Sequence, residues 1–233
     1  MRFSPPLTEG RLIRRYKRFL ADVELTTGEA VTVHVANPGA MLGLVEPGMR
    51  VFVSKSASLT RRLAWSLELV DAEGTLVGIN TSHPNRLVAD AVGDNAITEF
   101  TGYDLLRREV AYGKNSRIDI LLSGAGKPDT YIEIKNVHFS RKKGRAEFPD
   151  SVTARGTKHL GELTSMVAAG KRASMLYLIQ RGDTTNFALA RDIDPIYGAA
   201  FDVAYAAGVE MFAYQCCVTP EEITITTRLP VLG

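Results

Sequence analysis

Apolar and polar residues alternate over short stretches in the first third of the chain. The segments TTGE, NPGA, EPG and DAEG, which are rich in turn-forming residues, separate these stretches. Six stretches follow this pattern: GRLIRR, RFLADVEL, AVTVHVAN, RVFVSK, LAWSLELV and TLVGINT. Alternation with a period of two is typical of strands, and short strands at regular spacing favour a small closed or nearly closed barrel. We therefore predict a β-barrel at the N-terminus.

The pattern changes at NTSHPN, a polar segment that is typical of a loop between two units. We place a domain boundary there, which gives residues 1–84 and 85–233. After it, RLVADAVGDNAITEF carries apolar residues at helical spacing, although Gly93 weakens the helix.

Strands and helices alternate in the remainder of the chain. REVAYG, SRIDILL and TYIEIKNV are predicted strands, and the polar segment SRKKGRAEFPDS follows them. VTARGTKHLGELTSMVAAG opens with threonine and ends in glycine, as a capped helix does, and strand ASMLYLIQ comes next. The order αβββαβ predicts a mixed sheet with helices packed on it. The last segments add a helix, DPIYGAAFDVAYAAG, and two strands, EMFAYQCCVT and ITITTRL.

Composition narrows the class of protein. The 233 residues are 45% hydrophobic, which suits a folded chain and argues against disorder. The formal net charge is only +2, yet lysine and arginine cluster locally, so local basic patches say more about binding partners than the net charge does.

The cysteines, Cys216 and Cys217, are adjacent and offer neither a disulfide framework nor zinc-ligand spacing. The first residues lack the apolar stretch of a signal peptide, and no segment approaches the ~18 apolar residues of a membrane span, so we expect a cytoplasmic protein.

The segment RIDILLSGAGKPDTYIEIKNV places charges inside two apolar runs. Burying an unpaired carboxylate costs several kcal/mol, so Asp119 and Glu133 require compensation. If the two runs pair as a hairpin, the strands lie about 4.8 Å apart and both carboxylates can converge on one divalent cation. Lys135 lies on the same face as Glu133, where it can orient a water or stabilise a phosphate undergoing attack. An alternative is a cross-strand salt bridge on a solvated sheet face.

Two groups of cations are candidates for binding nucleic acid. The first barrel strands carry Arg11, Arg14, Arg15, Lys17 and Arg18, interleaved with Tyr16 and Phe19. Cations follow phosphates and aromatic rings stack on bases, although Phe19 can equally belong to the core and the charges can be merely solubilising. The second group, Arg155, Lys158 and His159, shares one helix face with Glu162, which is also the pattern of an ordinary solvated face.

Several segments carry a resemblance to a known family. D-x(13)-E-x-K on adjacent strands resembles the PD-(D/E)xK nuclease superfamily. VHVANPGAM, INTSHPNRLV, YIEIKNV and FPDSVTARGTKHLGEL together resemble the sugar fermentation stimulation protein A family along essentially the whole chain. The resemblance implies a mixed α+β protein, with an N-terminal OB-like barrel joined to a nuclease-like α/β domain, and an association with DNA.

The resemblance also implies roles for individual residues. Asp119 and Glu133 become the carboxylates that bind Mg²⁺ or Mn²⁺, Lys135 the catalytic lysine, and Glu99 an auxiliary acid on the preceding helix. Ile118 stands where the proline of the superfamily's name is expected, which removes no ligand.

Three functions fit these observations. The first is a DNA-binding protein of low sequence specificity with a nuclease-like metal site. The second keeps DNA binding without catalysis, as in a regulator of transcription for sugar metabolism. The third is a metal-dependent hydrolase of a small phosphorylated molecule, which the distribution of basic patches over both units disfavours, because a small substrate needs only one pocket.

Overall fold

The computed structural model describes residues 1–58, 60–113, 115–124 and 126–232. Its N-terminal part consists of short antiparallel strands. Their bounds are β1 (Thr8–Tyr16), β2 (Leu20–Leu25), β3 (Ala30–Val35), β4 (Arg50–Lys55), β5 (Trp65–Ala72) and β6 (Thr75–Gly78). The strand order is β3-β2-β1-β4-β5-β6, and a parallel pairing between β3 and β5 closes the first five strands into a barrel.

Buried and more exposed residues alternate along the barrel strands, as the sequence predicts. In β2 the buried residues Ala21, Val23 and Leu25 point inward, and the residues between them are more exposed. The inward side chains form one cluster, which Met41 and Leu44 of the β3–β4 connection complete. Burial of one face on every strand fixes the register, since a slip by one residue would turn these apolar side chains outward.

The second part is built on a mixed six-stranded sheet. Its strands are β7 (Leu105–Tyr112), β8 (Ser116–Ser123), β9 (Thr130–Val137), β12 (Arg172–Ile179), β14 (Glu210–Val218) and β15 (Ile223–Leu229). The strand order is β15-β14-β12-β9-β8-β7. The central strands β9, β12 and β14 are parallel, whereas β8, β7 and β15 run antiparallel to their neighbours.

Helices cover both faces of this sheet. The helices are α1 (Pro84–Gly93), α2 (Ala154–Ala168) and α3 (Pro195–Ala206). Helix α2 begins at the predicted threonine, because the Thr153 side chain accepts a hydrogen bond from the Gly156 N–H. Helices α2 and α3 pack on one face, and α1 packs on the other together with Phe52 and Leu69 of the barrel. The barrel therefore shares an apolar core with the sheet.

A smaller four-stranded sheet, which the sequence patterns missed, lies beside the main one. Its strands are β10 (Phe139–Lys142), β11 (Gly144–Phe148), β13 (Thr184–Leu189) and β16 (Val231–Leu232), in the order β10-β11-β13-β16. The polar segment after β9 thus forms the hairpin β10–β11 rather than an irregular excursion. Among the described residues, every helix is too short or too polar to span a bilayer.

Candidate active site

Asp119 lies where strands β8 and β9 separate. Their pairing runs from Leu122 and Thr130 to Ile120 and Ile132. Beyond that point the Asp119 carboxylate, rather than a backbone carbonyl of β8, pairs with β9. Its Oδ2 accepts a hydrogen bond from the Ile134 N–H at 2.7 Å. Its Oδ1 accepts from Asn85 Nδ2 of α1, also at 2.7 Å. Asp119 is thus fixed from two directions.

Glu133 lies on the neighbouring central strand and is almost fully buried, with 2% of its surface exposed. Its Oε1 accepts a hydrogen bond from Lys135 Nζ at 2.7 Å and contacts His159 Nδ1 of α2. His159 Nε2 is the acceptor for Arg155 Nε at 3.3 Å, so the neutral ring carries its proton on Nδ1 and donates it to Glu133. Glu133 Oε2 is buried and has no hydrogen-bond partner among the described residues.

The electrostatics of the two carboxylates differ. Burial and the nearby charge of Glu133 raise the pKa of Asp119 to about 6. Burial also acts to raise the pKa of Glu133, but the hydrogen bond from His159 and the charge of Lys135 outweigh it and hold that pKa below its usual value. Glu133 is therefore the carboxylate that stays ionised, and Asp119 the one that a proton or a cation must stabilise.

These side chains line a cleft of about 530 Å³ between the barrel and the second part. Asp119, Glu133, Lys135 and His159 lie on the side of the sheet, and Asn37, Pro38 and Gly39 form the opposite wall. Arg18 of the β1–β2 turn and Arg155 of α2 supply cations to the same cleft. The arrangement places three acids, Asp119, Glu133 and Asp150, and three cations, Lys135, Arg18 and Arg155, around one space.

The wall at Asn37–Gly39 is held in place by Arg15 and Asp150. Arg15 donates to the carbonyl oxygens of Arg18, Asn37, Gly39 and Ala40. Asp150 Oδ2 accepts from the Met41 N–H at 2.9 Å and lies 3.2 Å from His138 Nε2. Gly39 allows this approach, since a Cβ at that position would lie 2.6 Å from Asp150 Oδ2.

Some of the predicted nucleic-acid residues line the cleft, and others do not. Arg18, Arg155 and His159 line the cleft, and Lys158 lies on its outer side, where its Nζ donates to Ser116 Oγ at 3.0 Å. Arg15 does not line the cleft, and its guanidinium donates to four backbone carbonyls of the adjoining loops. Three others do not line the cleft: Arg11, which donates to Gly48 O; Arg14, which pairs with Asp22; and Lys17 in the β1–β2 turn. Phe19 is exposed and does not belong to the barrel core.

Glu99 is not brought to the site. The predicted helix ends at Gly93, so Glu99 lies on a separate 3-10 turn, Thr98–Phe100. Its carboxylate contacts the Tyr214 hydroxyl and accepts from Arg228 Nη1 at 2.8 Å, over strands β14 and β15. The expectation that a helical Glu99 assists the carboxylates is therefore corrected, because the α1 side chain that reaches Asp119 is Asn85.

Comparison with known proteins agrees with this architecture. Residues 13–79 match the SfsA N-terminal OB domain, and residues 82–222 match the sugar fermentation stimulation protein RE domain. A sugar fermentation stimulation protein homolog from Rhodospirillum centenum is 55% identical over 229 residues, which are 98% of this chain and 98% of the relative. The chain belongs to the sugar fermentation stimulation protein family.

Two further members of this family align over nearly their whole length. The homolog from Allorhizobium ampelinum is 51% identical over 231 residues, which are 99% of this chain and 98% of that protein. The structure of Pyrococcus furiosus SfsA in complex with Ca²⁺ superposes with a TM-score of 0.90 at 23% identity, and covers 100% of this chain and 98% of the other. The predicted fold class, an OB barrel followed by a mixed α/β domain, is confirmed.

Two of the residues that the sequence patterns missed, Asn85 and Asp150, lie in segments that carry the family resemblance, and His138 directly follows another such segment, YIEIKNV. Asn85 belongs to INTSHPNRLV, and His138 and Asp150 flank the β10–β11 hairpin, the latter within FPDSVTARGTKHLGEL. Single polar residues in loops have no periodicity, so only their position in the fold reveals the contacts they make. The sequence feature that could have indicated these contacts is the frequency of Asn, His and Asp near the ends of strands and helices in this part of the chain.

Proposed function

We propose that this protein binds DNA through its backbone phosphates and hydrolyses phosphodiester bonds with the help of a divalent cation held by Asp119 and Glu133. The observation that carries the proposal is the buried oxygen Oε2 of Glu133, which faces no donor among the described residues while Asp119 lines the same cleft. An unpaired buried carboxylate oxygen is costly, and a hard cation is the ligand that satisfies it.

The donor set fits such a cation. Carboxylate oxygens are the ligands that Mg²⁺ and Mn²⁺ prefer, and Mg²⁺ keeps several of its waters. Among the described residues there is no cluster of three or more His, Cys, Asp or Glu side chains able to hold a metal. Two protein carboxylates would therefore bind the cation, and water and a phosphate oxygen would complete its shell. The cation would supply Lewis acidity at the phosphate.

The surrounding side chains have separate tasks. Lys135 holds a positive charge beside Glu133, where it stabilises negative charge that develops on an attacked phosphate. His159 donates to Glu133 and, through Nε2, orients Arg155 toward the cleft. Arg155 and Arg18, which line the same cleft, bind phosphate oxygens. Asn85 holds Asp119 in place from α1.

The solved structure of one relative is compatible with a divalent cation. The structure of Pyrococcus furiosus SfsA contains Ca²⁺, and oxygen ligands bind Ca²⁺ and Mg²⁺ alike. At 23% identity that protein argues for the shared fold, so the cation of this chain is inferred from its own carboxylates.

The experiment is cleavage of DNA with Mg²⁺ or Mn²⁺ and with a chelator. We expect the parent to cut DNA only with the metal. Asp119→Asn should lose cutting because it removes the charge, although its amide oxygen can still accept the hydrogen bond from the Ile134 N–H. The matched control is Asp22→Asn, which removes a carboxylate paired with Arg14 outside the cleft.

The two other candidate functions predict different outcomes. A regulator without catalysis would bind DNA and cut none at any metal concentration. A hydrolase of small phosphorylated molecules would act on a phosphate monoester and bind no DNA at low salt. Either result would contradict the proposal.

A further inference from the structure

A second groove adjoins the cleft on the side of helix α2. It has a volume of about 610 Å³ and shares Arg155 and His159 with the cleft. We call it the outer groove and define it by Asn115, Ser116, Arg117 and Lys158 together with the two shared residues. Because both spaces meet at Arg155 and His159, a chain that lies in the cleft can continue into the outer groove.

The outer groove is basic. Arg117, Arg155 and Lys158 line it, against the single carboxylate of Glu109. Glu109 Oε1 accepts from Asn85 Nδ2 at 3.1 Å, and its carbonyl oxygen accepts from Arg117 Nη1 at 2.9 Å. Lys158 Nζ also lies 3.6 Å from Glu162 Oε1. Three cations against one lining carboxylate give a surface that attracts anions.

One cation of the outer groove lies next to the carboxylate centre on the same strand. Arg117 precedes Asp119 by two residues on β8, which corresponds to about 6.6 Å along the strand, and side chains two residues apart lie on the same face. Arg117 is exposed and long, so it is within reach of a phosphate adjacent to one held at Asp119.

The cleft also adjoins a smaller cavity of about 280 Å³. This cavity is lined by Arg15 and Ala40 together with four residues that also line the cleft, Arg18, Pro38, Gly39 and Ser151. A cleft that shares residues with two further cavities suits a polymer that extends beyond it, whereas a small ligand needs one closed pocket.

We propose that the outer groove binds the backbone phosphates of the nucleic-acid strand next to the phosphate at Asp119 and Glu133, with Arg117 as a phosphate-binding residue. The ligand is then an oligonucleotide strand that passes through the cleft. This inference rests on the function proposed above, and it adds a binding site that lies outside the carboxylate centre.

The test measures affinity for single-stranded DNA in Ca²⁺. Two probes are used: an oligonucleotide of about 12 nucleotides, within the site sizes of single-strand-binding grooves, and a dinucleotide whose one phosphate reaches only the carboxylates. Arg117→Gln should weaken binding of the longer probe about 3- to 10-fold at low salt and leave the dinucleotide affinity unchanged. The matched control Lys142→Gln removes an exposed cation on β10, outside the cleft and its adjoining grooves, and should alter neither.

Arg117→Lys separates a loss of charge from a loss of shape. It keeps the cation, so it should retain most of the affinity for the longer probe even if Arg117→Gln melts at a lower temperature. If the parent binds the longer probe and Arg117→Gln binds it equally well, the outer groove is not a phosphate site, and the proposed function stands. If the parent binds no oligonucleotide even at low salt, the proposed function itself fails.

Discussion

The Asp119 carboxylate accepts a hydrogen bond from the Ile134 N–H at 2.7 Å, and Ile134 is the residue between Glu133 and Lys135. A side chain of β8 thus replaces a backbone partner of β9 at the point where the two strands separate. This single contact brings the acid of one strand to the Glu-x-Lys of the next. It also explains why Asp119 lies in a buried position with Glu133 close enough to raise its pKa.

The raised pKa of Asp119 predicts a pH dependence of stability in metal-free buffer. The folded value of about 6 exceeds the ordinary 3.8, so the folded chain keeps a proton that the unfolded chain has lost. The resulting contribution to the free energy of unfolding is fully present below about pH 4 and is lost as the pH rises through about 6, a change of up to about 3 kcal/mol.

The variant Asp119→Asn lacks this titration. The difference between the free energies of unfolding of the parent and of the variant therefore isolates the contribution of Asp119. Urea denaturation of both proteins between about pH 4 and pH 7 measures the difference. We expect the parent to lose stability relative to the variant as the pH rises. A difference that stays constant over this range would show that Asp119 titrates normally.

Lys135→Ala should separate catalysis from metal binding. The Lys135 ammonium lies 2.7 Å from Glu133 Oε1, while Oε2 remains for the cation. Because the role proposed for the lysine is to stabilise the charge that develops at phosphorus, its loss should reduce the cleavage rate about 10²–10³-fold. The rise in melting temperature on adding Mg²⁺ should persist. Cleavage at the parent rate in Lys135→Ala would remove the lysine from the mechanism.

Arg15 should stabilise the fold, although its position among other basic residues in the sequence suggests a DNA contact. Its guanidinium donates to four backbone carbonyls, and three of these belong to Asn37, Gly39 and Ala40 of the β3–β4 connection. Arg15→Gln leaves these acceptors partly unsatisfied and should destabilise the fold by about 2 kcal/mol or more. Arg14→Gln, next in the chain and exposed, should have little effect. Equal melting temperatures for the two variants would contradict this assignment.

DNA affinity should fall steeply with salt, because cations in the cleft displace counterions from phosphates. Arg18→Gln removes one such cation from the cleft and should reduce the slope of log affinity against log salt by about 0.7–0.9. Lys142→Gln serves as the matched exposed control. Filter binding or fluorescence anisotropy at several salt concentrations provides the slopes, and an affinity insensitive to salt would argue against backbone binding.

Periodic features of this protein were predictable from its sequence. The barrel strands, the three core strands and helix α2 all follow from apolar periodicity and capping, and the D-x(13)-E-x-K pattern pointed to the pair of carboxylates. The β10–β11 hairpin was missed because its sequence, SRKKGRAEF, is too polar to resemble a strand. It pairs with β13, which is distant in the sequence, and such long-range pairing leaves no local signal.

Site details depended on tertiary contacts. Asn85 and Glu99 lie in one stretch whose apolar residues are spaced as in a helix. This spacing does not show that the helix ends at Gly93, before Glu99. His159 shares the exposed-looking pattern of Arg155 and Lys158, yet it is buried against Glu133 because α2 packs on β9 there. The hydrogen-bond partners of Arg15 lie mainly in the β3–β4 connection, and no local sequence pattern shows where that connection passes.

The most direct test of a cation shared by Asp119 and Glu133 is the melting temperature with and without Mg²⁺ or Mn²⁺, measured for the parent and for Glu133→Gln. The cation binds the folded chain only, so it should raise the melting temperature of the parent by mass action. Glu133→Gln nearly preserves the shape but removes the charge, so it should show no such rise. If the metal leaves the parent unchanged, or stabilises Glu133→Gln equally, then Asp119, Glu133 and Lys135 form a buried salt-bridged cluster without a metal.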